Sequence, residues 1–111
     1  MTVRELSEKN LFRVINLGDN LDREISKPFC CDLLSVAMGK APAGSAWVTV
    51  MGNLNTLAVA SLTDAACVIL AEDARLDEAT AAKAKVQEIT VFATEEPIFE
   101  AALAIYKELH A

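Results

Sequence analysis

The sequence predicts an α/β fold: a single domain over residues 1–111, with a mainly parallel sheet, βα units from residue 46 onward and helices packed on the faces. Three observations support this. Residues 66–71 (ACVILA) are a continuous apolar run, the mark of a strand buried on both faces. Residues 46–51 (AWVTVM) are rich in β-branched and aromatic residues and are bounded by turn formers. After each run comes a capping residue and then a helical segment. Short connections between alternating elements imply parallel strands joined by right-handed crossovers.

The elements follow in order. Thr2-Val3-Arg4-Glu5 is a capping box ahead of a short helix to about Lys9, with Val3 and Leu6 facing inward. Leu11 to Asn16 reads as a strand, and Leu17-Gly18-Asp19-Asn20 as a turn. Ile25 to Cys31 reads as a further strand whose Pro28 belongs on a sheet edge. Asp32 is placed to cap a helix over Leu33 to Met38, which Gly39 is suited to stop. After the loop Ala41 to Ser45 comes the strand Ala46 to Met51, and Asn53 or Asn55 caps a helix to about Leu62. The buried strand Ala66 to Ala71 follows. Asp77 caps a helix whose Ala79, Ala82, Val86 and Ile89 share the apolar period, leaving Lys83, Lys85 and Glu88 in water. Ile89 to Ala93 is the last strand. Thr94 is placed to cap the final helix, with Glu95, Glu96 and Pro97 in its first turn. The stripe Ile98, Phe99, Ala102, Ile105, Tyr106 and Leu109 is the clearest periodicity of all.

Composition narrows the function classes. Hydrophobic residues make up 53% and charged residues 23%, a globular balance. Sixteen acids against ten bases give a net charge of −6. A field of that sign repels phosphate backbones, so nucleic-acid binding is disfavoured, while a small anion remains compatible with backbone amides. No apolar run approaches the ~20 residues of a membrane span, and the charged N-terminus is unlike a signal peptide. A cytoplasmic protein is expected. The three cysteines, Cys30, Cys31 and Cys67, form no C-x-x-C, and Cys67 reads as a small buried hydrophobe. Of the adjacent Cys30 and Cys31, one should be buried and the other more accessible. A nucleophilic thiol needs a base, and the one histidine, His110, stands next to the last residue.

Three βα turns share one sheet edge: Gly52 to Asn55, Glu72-Asp73 and Thr94-Glu95. Crevices at the carboxyl ends of parallel strands are the usual ligand sites in such sheets. Gly52, Asn53, Asn55, Glu72, Asp73 and Thr94 are therefore the candidate ligand-binding residues. Gly52-Asn53-Leu54-Asn55 lacks the lysine and second glycine of a P-loop and is no dinucleotide fingerprint. A tight turn followed by an asparagine cap is the reading preferred for it over a ligand site. Paired carboxylates suit Mg²⁺, Ca²⁺ or general acid–base work. Glu72, Asp73 and Asp77 also suit a solvated loop before a helix, and that is the reading taken, with no catalytic residue, metal or cofactor expected.

The segments MTVRELSEKN, LDREI, CDLLSVAMG, WVTVMGNLNTLAVASL, AACVILAED and ITVFAT resemble, in this order, the DRTGG domain. That α/β domain occurs within phosphotransacetylases and CBS-containing pyrophosphatases and is similar to the N-terminal domain of HPr kinase/phosphorylase. The resemblance covers nearly the whole chain and implies a stand-alone copy. The family's Gly-Asp-Arg stands here as Gly52-Asn53-Leu54, and its Thr-Gly-Gly as Ala71-Glu72-Asp73, so only Gly52 is kept. The resemblance implies a non-enzymatic regulatory or protein-interaction module. Self-association as a homodimer is expected from the proline-bearing edge Ile25 to Cys31 beside an apolar helix, and the module is open to sensing a small ligand. The alternative is a protein that binds a nucleotide or phosphate-bearing metabolite, or is weakly catalytic, at the turn of Gly52.

Overall fold

The computed structural model describes residues 1–111. Its elements are α1 (Val3–Glu8), β1 (Arg13–Asn16), β2 (Pro28–Cys30), α2 (Leu34–Lys40), β3 (Ala46–Thr49), α3 (Leu54–Leu62), β4 (Cys67–Leu70), α4 (Glu78–Val86), β5 (Val91–Ala93) and α5 (Ile98–Leu109). The sheet runs β1-β5-β4-β3-β2. Strands β2 to β5 are parallel, and β1 closes the far edge antiparallel to β5. This is the α/β architecture the sequence predicts, with Pro28 on an edge strand as its missing amide requires.

Alternation along the strands divides the core in two. Ala46, Val48, Cys67, Ile69 and Phe92 face one side, where Val3 and Leu6 of α1 and Ala101 and Ile105 of α5 cover them. Trp47, Val68, Leu70, Val91 and Ala93 face the other, beneath Ala37 of α2, Leu57 and Ala60 of α3 and Ala84 of α4. Trp47 is fully buried, and its indole N–H donates to the Cys31 carbonyl at 2.9 Å, so the ring enters the core without an orphaned donor.

Several boundaries differ from expectation. Ile25 is buried in the first core but lies outside β2; its amide bonds the Met1 carbonyl, and Thr2 bridges to Glu24. Competition from the N-terminus thus shortens the strand expected over Ile25 to Cys31. The strand expected from Leu11 begins at Arg13, with Phe12 turned into the core. Gly39 sits inside α2 and does not stop it; the helix ends before Pro42, whose ring disfavours helical geometry at Ala41. Asp32 does not cap α2, since Leu33 holds that position without a side-chain bond. In α4 the buried positions are Thr80 and Ala84, not the expected Ala79, Ala82 and Val86; Val86 is 78% exposed. In α5 Ala101 and Ile105 are buried, while Phe99 and Tyr106 of the expected stripe are exposed. The capping box at Thr2 and the caps at Asn53 and Asp77 stand as expected.

Candidate functional site

The parallel strands all end at one edge, where the loops after β3, β4 and β5 lie side by side. Backbone bonds lock them. The Glu72 amide donates to the Glu96 carbonyl and the Asp73 amide to the Thr94 carbonyl, each at 2.9 Å, tying the β4 turn to the β5 turn. A Cβ on Gly52 would lie 2.6 Å from the Arg75 carbonyl oxygen, so the β3 turn presses directly on the loop after β4. Glycine is needed there for close approach of backbone to backbone.

The six predicted residues lie on or just after the three turns of this edge, and each is engaged differently. The Asn53 side-chain oxygen accepts from the Thr56 amide at 3.1 Å, the ordinary work of an N-cap. Asn55 is exposed in the first turn of α3 and lines a groove shared with α4. Glu72 and Asp73 both adopt the left-handed region, with φ of 59° and 57°. Two acids therefore hold a conformation that favours glycine, at the place where the resembled family has its glycine pair. Thr94 does not cap α5: its hydroxyl accepts from the Glu96 amide at 3.1 Å, and Pro97 occupies the cap position. Proline disfavours helical geometry at the residue before it, Glu96, which delays α5 past Thr94.

Sequence reasoning missed two features of this edge. The Asp32 carboxylate accepts from the Thr49 hydroxyl at 2.7 Å and from the Val50 amide at 2.9 Å, tying the end of β2 to the end of β3. Arg75 stands 3.7 Å from the Asp73 carboxylate and, with Arg13, flanks a cavity of about 180 Å³. Its signal was present in the sequence: Arg75 is the one cation between Lys40 and Lys83.

Two of the thiols, Cys30 and Cys67, have raised pKa values. Burial pushes the Cys67 thiol up to about 12. Partial desolvation, with the Asp32 charge nearby, also raises Cys30, although the residue as a whole is exposed. Cys30 is exposed and Cys31 half-buried, so neither is buried as expected of one of them. The His110 ring stacks on Tyr106 with centroids 4.0 Å apart, at the end of α5. At the opposite sheet edge, a cavity of about 210 Å³ contains Asp19, Asp64 and Glu88. There a hydrogen bond and repulsion from Asp19 raise the Glu88 carboxyl. Asp64 is held below its usual range by Arg23, whose two guanidinium nitrogens donate to its carboxylate at 3.0 and 2.8 Å.

No helix is long and apolar enough to cross a membrane. No protein-family model matches the sequence, and no curated protein matches it. Among solved structures, the regulatory region of a Clostridium perfringens pyrophosphatase is similar: its CBS and DRTGG domains, complexed with the activator diadenosine tetraphosphate. The TM-score is 0.73 at 13% identity, over 94% of this chain and 45% of that one. The chain thus spans about half the length of that structure, and the likeness is one of fold: this chain is DRTGG-like in architecture.

Proposed function

We propose that this chain is a non-enzymatic regulatory or protein-interaction module that self-associates and senses a small ligand. The observation that carries this reading is the fold, which is shared with a regulatory region solved with a nucleotide activator bound. The site chemistry agrees with it. Burial raises the Cys67 thiol, and Asn53 spends its side-chain oxygen on a helix cap. The whole chain forms one unit in this reading, and a cytoplasmic setting suits its free thiols.

A thermal-shift screen with nucleotides, including diadenosine tetraphosphate, and with phosphate-bearing metabolites tests the sensing role. A ligand at a hundred times its Kd adds ~2.7 kcal/mol. For a domain of this size that is a rise in Tm of about 10 °C or more. The alternative reading, a nucleotide-binding or weakly catalytic protein working at Gly52, predicts turnover of a nucleotide that is abolished by substitution at Asn53 or Asp73. Such turnover would replace the regulatory reading.

A further inference from the structure

We propose that the cavity at the carboxyl ends of β4 and β5 binds a small organic anion, with its charged head between Arg13 and Arg75 and its apolar body against Ile15 and Leu76. The topology builds this place from distant parts of the chain. Arg13 opens β1 opposite Ala93, the last residue of β5, which brings an N-terminal cation to the carboxyl edge. The register of β1 shifts between Val14 and Asn16, and Ile15 joins Arg13 on the cavity wall. Arg75 comes from the loop after β4, whose backbone is braced against Gly52. The lining between them is apolar: Ile15 is exposed and Ala74 and Leu76 are half-buried, over the buried Leu70 and Ala93.

The electrostatics favour an anion. The protein carries a net charge of −6, yet no carboxylate lines this cavity. Arg13 makes no ion pair, and Arg75 has only the loose contact with Asp73 at 3.7 Å. Two arginines on the wall of an otherwise apolar cavity suit a carboxylate or phosphate head, which guanidinium groups bind through paired N–H donors. The position also follows the general rule for open α/β sheets, whose ligands sit outside the carboxyl ends of the strands. The cavity, of about 180 Å³, has room for a short-chain carboxylate or a small phosphate monoester.

This site deepens the ligand-sensing part of the proposed function and rests on it, while self-association is read separately from the mass in solution. The probes are butyrate, ethyl phosphate and, as the uncharged counterpart, butyramide, followed by NMR of the ¹⁵N,¹³C-labelled chain. Saturable shifts at Ile15, Leu70 and Ala93 with either anion, and none with butyramide, are expected. Arg13→Gln and Arg75→Gln should each weaken binding about tenfold, the loss of one charge-assisted contact. Asp73→Asn should strengthen it by freeing Arg75. Both arginines are exposed, so an unchanged amide spectrum will show that the variants remain folded. Absence of saturable shifts with both anions overturns the proposal, as does binding that survives both arginine substitutions. Nucleotide binding that leaves these resonances still, but moves those of Asn53 and Asn55, would place the sensing site at the Gly52 turn and overturn this one alone.

Discussion

Asn53 and Asn55 are two residues apart, yet only Asn53 has its side chain committed to the backbone. Its oxygen meets the Thr56 amide, whereas Asn55 faces the groove beside α4. Asn53→Ala should therefore lower stability by about 1 kcal/mol, and Asn55→Ala should leave it nearly unchanged. Urea denaturation of the two variants checks this, and equal midpoints would show that the cap contributes nothing. Gly52 makes a sharper case. An added methyl would stand 2.6 Å from the Arg75 carbonyl oxygen and 3.2 Å from its carbon, both backbone atoms held by neighbouring turns. Gly52→Ala should cost about 1–3 kcal/mol as an overpacked contact. A variant as stable as the parent would mean that the loop after β4 yields freely.

At the scale of the elements, opposite pH responses meet at the cavity that Asp64 and Glu88 share. The Asp64 carboxylate, clamped by Arg23, has a lowered pKa, so its stabilisation is present above the usual value of 3.8 and lost as pH falls through the folded value. Asp77, lowered by the Thr80 amide at the start of α4, acts in the same direction. Glu88, after α4, has a raised pKa, so its contribution is present below 4.5 and lost as pH rises through the folded value. Glu88→Gln should stabilise the protein at pH 7 and lose that advantage near pH 4, while Asp64→Asn should flatten the acid limb. Thermal melts between pH 3 and 8 check both signs. Local signals of this kind were legible in the sequence: the caps at Thr2, Asn53 and Asp77, and the strands with continuous apolar runs. The buried face of α4 was not, because a helix of alanines offers little contrast between faces, and Thr80 and Ala84 won through their places under the sheet. Asp32 misled for a different reason. Its partners Thr49 and Val50 belong to the neighbouring strand, so only the paired sheet shows why it leaves α2 uncapped. Arg13 and Arg75 meet at one cavity for the same reason, through an antiparallel edge strand that no local pattern announces.

For the whole molecule, the accessible surface is 5863 Å², close to the roughly 5,900 Å² expected of a monomer of this mass. The proposed self-association therefore has to rest on where apolar surface lies, since its total is ordinary. Leu33, Val36 and Met38 on and before α2 are 58%, 39% and 47% exposed, and they stand beside the β2 edge. A three-residue strand opened by a proline offers few backbone groups for pairing with another sheet. Side chains of α2 are thus the better contact, and a two-fold axis would pair each helix with its copy. The expected outcome in sedimentation equilibrium at micromolar concentration is twice the chain mass of 11.9 kDa. Leu33→Glu with Val36→Glu should return the monomer without unfolding it, because both side chains face solvent in the single chain. Charges at Leu62 and Val86, exposed at 70% and 78% on α3 and α4, should leave the dimer intact. A single species at 11.9 kDa would sink the dimer, and a dimer broken only by the Leu62 and Val86 variants would move the interface from α2 to the α3–α4 face.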